Sequence, residues 1–175
     1  MRPATRILLS ALALPLAAAP AFALQSLTST TYAPVITRVE PAPDPEKLQR
    51  LLAEADAASV NGRDAEAIKL YKSIAAEQRQ GGLYAGEALW RIAGAQLFQG
   101  KTVEAAMTLD QTAQEAARFG DPTMELKATF EAAILWQKAK RHDVAMSHLE
   151  RVRDLLRSPV IEQELKTSVE RRIVK

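Results

Sequence analysis

The chain has 175 residues, 47% of them hydrophobic and 25% charged, which gives one domain enough apolar material for a core and enough charge for a solvated surface. It contains no Cys, so disulfides, thiolate metal sites and Cys nucleophiles are excluded. The formal charge of +2 comes from the first 23 residues, where Arg2 and Arg6 face no acid; taking those two from the 23 Lys and Arg leaves 21, against 21 Asp and Glu.

A balanced charge gives no support to nucleic-acid binding, which needs a basic patch or stripe. A mild asymmetry remains: residues 138–175 carry 10 Lys and Arg against 6 Asp and Glu, and residues 24–137 carry 11 against 15. A solvated helix face accounts for it, with a docking surface for an acidic partner or lipid as the alternative. Aromatic residues are only 5%, and Ala dominates the apolar set. Ala is the best helix former and loses no side-chain entropy, so this composition favours closely packed helices.

Residues 1–23 have the three parts of a secretory signal: a basic start from Met1 to Arg6, an apolar run from Ile7 to Ala19, and small residues at Ala21 and Ala23 around Phe22. Cleavage after Ala23 makes Leu24 the new N-terminus. The alternative is a retained anchor, since the stretch from Ile7 to Leu24 is apolar apart from Ser10, Pro15 and Pro20 and spans a bilayer only marginally. Residues 24–44 are rich in Thr, Ser and Pro and show no helical period, so they read as an extended tether. The alternative is a peptide that docks on a partner, with Tyr32, Val35 and Ile36 as its anchors.

From residue 45 to 175 the apolar period is helical and predicts seven helices. The first stripe is Leu48, Leu51, Leu52, Ala55 and Ala58. After Asn61-Gly62 comes Ala67, Ile68, Tyr71, Ile74 and Ala75. Beyond Gly81-Gly82 stand Leu89, Ile92, Ala93, Gln96 and Leu97. After Gly100 the stripe is Ala105, Ala106, Leu109, Ala113 and Ala116. Gly120-Asp121-Pro122 is a stop followed by a cap and an N-terminal proline. The fifth helix, Met124 to Lys140, sets Ala132, Ala133 and Trp136 on one side, and the sixth carries Val144, Ala145, Leu149, Val152 and Leu156. Ser158-Pro159 repeats the cap-and-proline signal before Ile161, Leu165, Val169 and Ile173. No period-two alternation points to a strand.

The helices come in similar pairs. Ala55 and Ala67, Ala93 and Ala105, and Ala133 and Ala145 each stand twelve positions apart, with Tyr71, Leu109 and Leu149 one turn beyond the second member. Gly62 and Gly100 hold the turn in the first two pairs, and Lys140 stands there in the third. This pattern resembles the tetratricopeptide repeat, with Gly62 to Tyr71 as the nearest match. The resemblance implies an all-α array of helical hairpins, a short α-solenoid over about residues 48–157, with Pro159–Lys175 as a capping helix. It departs from the motif in length, since the step is 38 residues from Ala67 to Ala105 and 40 from Ala105 to Ala145, against ~34 in the standard repeat. The motif's closing proline is also absent, and Gln96 stands where a large apolar residue is usual.

No catalytic constellation appears. The two histidines, His142 and His148, are six apart and fall on different helix faces, so they form no i, i+4 metal pair. No phosphate-cradling Gly-rich loop and no nucleophile elbow is present. The chain reads as a protein that is not an enzyme, with no cofactor, no metal, no nucleic acid and no small-molecule substrate. Trp90 lies beside its stripe next to Arg91, a pairing favoured at binding surfaces. Tyr84, Trp90 and Arg91 are the candidate partner surface, whereas Trp136 reads as core. The resulting expectation is a non-catalytic adaptor in the bacterial periplasm that binds a protein. The alternative is an accessory subunit on the periplasmic face of a membrane complex. Intact mass of the native protein is expected to begin at Leu24; a mass that retains residues 1–23 identifies the anchor instead.

Overall fold

The structure, a computed structural model, describes residues 42–173. The expected leader, and the expected linker up to residue 41, lie outside the described residues. The described part is all-α, and its seven helices are α1 (Pro45–Val60), α2 (Asp64–Gln80), α3 (Gly86–Phe98), α4 (Thr102–Phe119), α5 (Pro122–Lys138), α6 (His142–Leu156) and α7 (Gln163–Ile173). No strand is present among the described residues.

Local chemistry sets most of the boundaries. α1 and α5 each begin with Pro in the first turn behind an Asp cap. The Asp44 carboxylate accepts from the Glu46 amide at 3.0 Å, and that of Asp121 from the Met124 amide at 2.9 Å. Five helices end in the same way. One residue enters the left-handed region, and the next amide reaches back five residues to close the last turn. These closing bonds run from Arg63 to the Ala58 carbonyl (2.8 Å), Leu83 to Gln78 (2.7 Å), Lys101 to Gln96 (2.9 Å), Asp121 to Ala116 (2.9 Å) and Arg141 to Trp136 (2.9 Å). The left-handed residue is glycine at 62, 82, 100 and 120, and Lys140 (φ 62°) in the fifth case.

α6 breaks this rule. It has no left-handed residue, and Ser158 donates only to the Leu155 carbonyl at 2.9 Å. The chain therefore leaves at another angle and passes residues 158–162 as a turn. The capping helix starts at Gln163, four residues later than the Ser158-Pro159 signal predicts. Ile161, expected on that helix, is buried at 3% exposure from within the turn. Two further positions differ from the stripes: Leu97 and Ile173 are exposed at 40% and 37%, because each lies in the last turn of its helix.

Consecutive helices supply the main packing, α1 on α2 through to α5 on α6. All six alanines of the twelve-residue pairs are buried, none more than 4% exposed. Ala67, Ala105 and Ala145 sit in the first turns of α2, α4 and α6, opposite the late turns of α1, α3 and α5. The core is a succession of three apolar clusters. The first joins α1, α2 and the start of α3; the second joins α3 to α6; the third, around Leu126, Phe130, Val152 and Val169, carries α7. From 91 to 100 and from 131 to 140 the order of buried, half-buried and exposed positions is identical, so the hairpins repeat in environment as well as in spacing. Gln96 sits in the core as well, paired with Thr108 at 2.8 Å, and Trp136, at the equivalent position forty residues on, donates its indole N–H to Asp110 at 3.0 Å.

Polar ties join alternate helices. Arg91 of α3 meets Asp56 of α1 at 3.1 Å, Arg79 of α2 meets Glu115 of α4 at 3.4 Å, His148 of α6 meets Asp110 of α4 at 3.0 Å, and Arg172 of α7 meets Glu131 of α5. A non-glycine residue in the left-handed region costs about 1–2 kcal/mol, partly offset by the greater chain entropy glycine loses on folding. Lys140→Gly is therefore expected to raise unfolding stability by about 0.5–1 kcal/mol, read as a higher urea midpoint at unchanged slope; a fall would show that the Lys140 side chain supports the turn.

Candidate functional site

An open depression of about 450 Å³ lies between α1 and α3. Asp56, Ser59 and Val60 line it from α1, Tyr71 from α2, and Trp90, Arg91, Gly94, Ala95 and Phe98 from α3. Its rim is apolar and wet. Val60 is 87% exposed and Phe98 83%, each at the last position of its helix and so at matching places in successive hairpins. Trp90 is half-buried and packs against the second core cluster.

The polar floor is held by its own residues. Tyr71, 3% exposed, donates its hydroxyl to Asp56 Oδ1, and Arg91 Nε reaches the same oxygen at 3.1 Å. Arg91 Nη1 also donates to Glu87 Oε1 at 2.7 Å, one helical turn away. Burial, and then the hydrogen bond to the Asp56 carboxylate, push the Tyr71 hydroxyl up to about 12. The network fixes α1 against α3 and sets the width of the groove. Gly94 opens it: a Cβ built there meets no atom within 4 Å. Glycine inside a helix costs about 1 kcal/mol relative to alanine, and packing here does not require it.

The three residues singled out from the sequence do not gather in one place. Trp90 and Arg91 line the groove, Arg91 as part of its floor. Tyr84 does not line it. Its ring packs on Phe119 with centroids 5.5 Å apart, and its hydroxyl donates to Asp121 Oδ2 at 3.2 Å. A Cβ at Gly86 would overlap that ring, so the start of α3 is cut to fit it. Burial first, and then the Asp121 carboxylate, raise the Tyr84 hydroxyl above its ordinary range. Tyr84 thus braces the α2–α3 turn against the α4–α5 turn.

Sequence reasoning missed Asp56, Gly94, Val60 and Phe98. The available signals were a glycine within a helical stripe and an apolar residue off the stripe at the end of each of two helices. A second depression, about 280 Å³, lies between α4 and α6 and includes Asp110, Glu125, His148 and Arg151. Its groups are paired, His148 with Asp110 and Arg151 with Glu125 at 2.7 Å. His142 is exposed. Compared with protein-family models, curated proteins and solved structures, the chain matches none.

The pH dependence of Tyr71 follows from its environment. Its folded value of about 12 exceeds the ordinary 10.0, so its contribution to stability is complete below pH 10 and is lost as pH rises through 12. Tyr71→Phe is expected to make the fall of stability between pH 10 and 12 shallower in alkaline denaturation. An unchanged fall assigns that loss to other groups.

Proposed function

We propose that the chain is an exported, non-catalytic adaptor, built from tetratricopeptide-like hairpins, that holds a protein partner in the groove between α1 and α3. The observation that carries this reading is the juxtaposition of Val60 and Phe98, both more than 80% exposed, in one groove with a half-buried Trp90. Such a cluster costs apolar hydration while it is open, and covering Phe98 alone is worth about 2 kcal/mol. The polar floor supports the same reading. Asp56 Oδ1 already takes both the Tyr71 hydroxyl and Arg91 Nε, so this network holds the shape of the groove while it is open.

Gly94 supports the reading from the side of stability. An alanine fits there and is the better helix former, so the glycine leaves the groove floor low at a cost to the helix. The basic start and apolar run of residues 1–23 support export, and on this reading the partner belongs to the periplasm or to the outer face of the inner membrane.

The test separates folding from binding. Gly94→Ala is expected to raise stability by about 1 kcal/mol in urea denaturation. Gly94→Leu fills the groove and should leave the helical circular dichroism unchanged. A photo-crosslinking residue at Phe98 should capture a protein partner in cells, the adduct should vanish with Gly94→Leu, and the same crosslinker at Met107 on α4 should not form it. Equal adducts from both positions, or an adduct indifferent to Gly94→Leu, overturn the assignment of the groove.

A further inference from the structure

The tips of the three hairpins align position by position, from the last residue of α1, α3 and α5 to the third residue of the helix that follows. Residues 60–66 set Arg63 against Asp64 and Glu66, a net of −1; residues 98–104 set Lys101 against Glu104, a net of 0; residues 138–144 set Lys138, Lys140 and Arg141 against Asp143, a net of +2. Only the third tip carries a positive balance, and its cations are available. All three are exposed. The two lysines form no ion pair among the described residues, and Arg141 meets Asp143 at 3.8 Å while lying over the Trp136 ring. The acids behind the tip on α5 are taken elsewhere, Glu131 by Arg172 and Glu125 by Arg151. Lys140 also holds left-handed backbone, φ 62°, where Gly62 and Gly100 stand in the other hairpins. Such a conformation is costly for a residue with a side chain, and an outlier of this kind argues that the side chain is used.

We propose that the α5–α6 tip docks on an anionic phospholipid surface, with Lys138, Lys140 and Arg141 paired to headgroup phosphates. None of the three lines either depression described above, so the tip presents its charge openly and gives a discrete anion no cradle. A flat array of like charges rewards several exposed cations together and asks for no match of shape. Met146, 52% exposed and one helical turn beyond His142, supplies an apolar side chain for the headgroup boundary. The proposal rests on the export reading alone and leaves the groove to its protein partner. Because Val60, Phe98 and Lys138 end α1, α3 and α5 in turn, docking by the third tip sets the groove beside the membrane.

Co-sedimentation of the full chain with vesicles tests this, comparing phosphatidylcholine alone with phosphatidylcholine mixed with phosphatidylglycerol. Binding to the anionic vesicles is expected to be at least tenfold tighter and to weaken as salt rises. Lys138→Gln, Lys140→Gly and Arg141→Gln together should weaken it at least tenfold with unchanged helical circular dichroism. Arg50→Gln, Lys69→Gln and Lys72→Gln remove the same charge from exposed positions on α1 and α2 and should leave binding within twofold. Equal losses in the two triple variants reduce the effect to net charge and overturn the proposal. Equal binding to both kinds of vesicle assigns attachment to an apolar segment and overturns it, as does binding to neither. Tighter binding to an oligoglutamate peptide than to the anionic vesicles assigns the tip to an acidic protein and overturns the lipid. The adduct at Phe98 is read separately, so each of these failures leaves the assignment of the groove standing.

Discussion

The architecture depends on how closely the two helices of a hairpin approach each other. Ala55 with Ala67, Ala93 with Ala105, and Ala133 with Ala145 are buried where the paired helices cross. A methyl side chain lets backbones close to the short end of the 8–10 Å range of interhelical distances, and an added isobutyl group there forces off-rotamer neighbours at a cost of about 1–3 kcal/mol. With that distance fixed, each hairpin becomes a flat unit that stacks on the next. The larger side chains, such as Tyr71, Leu109 and Trp136, then fill the space between units.

Consecutive helices meet mainly through small and aliphatic residues, with Lys47–Glu77 and Arg151–Glu125 as charged ties of their own, whereas alternate helices are joined by Arg91–Asp56, Arg79–Glu115, His148–Asp110 and Arg172–Glu131. Exposed ion pairs contribute little to stability, so their part here is to fix the stagger of one hairpin on the next. The Arg79–Glu115 tie differs, because Glu115 is 7% exposed and its Oε1 has no partner among the described residues. Removing Arg79 would strand a buried carboxylate, which is far more costly than losing a surface pair.

The helices and their stops were legible in the sequence because each rests on a local rule. Gly62, Gly82, Gly100 and Gly120 mark chain reversals, and Asp121 marks a cap, through backbone geometry that a few neighbouring residues determine. The end of α6 was not legible: Ser158-Pro159 has the form of a cap, but burial of Ile161 decides the path, and burial is a long-range property. The site was half legible. Trp90 and Arg91 stand out by residue type, while Asp56 acquires its role only when α3 brings Arg91 beside it. Tyr84 looks like a surface aromatic until Phe119 and Asp121, thirty-five and thirty-seven positions later, close over it. Val60 and Phe98 were overlooked because an apolar residue off the stripe carries no sign of which face it shares with another.

Consecutive packing makes the molecule nearly one-dimensional, and in such an array opening spreads inward from the ends. Both ends are thinly buried: α1 buries only Ala55 and Ala58 and α7 only Val169, whereas α5 between them buries nine residues from Glu125 to Trp136. The first helix is therefore a weak link, and one wall of the groove stands on it. A segment seated across α1 and α3 would act as a clasp on that link, slowing amide exchange in α1 and α2 while leaving α5 and α6 as they were. Occupancy would be written into the protection of the N-terminal hairpin, and that hairpin's readiness to open would in turn limit how long the segment stays.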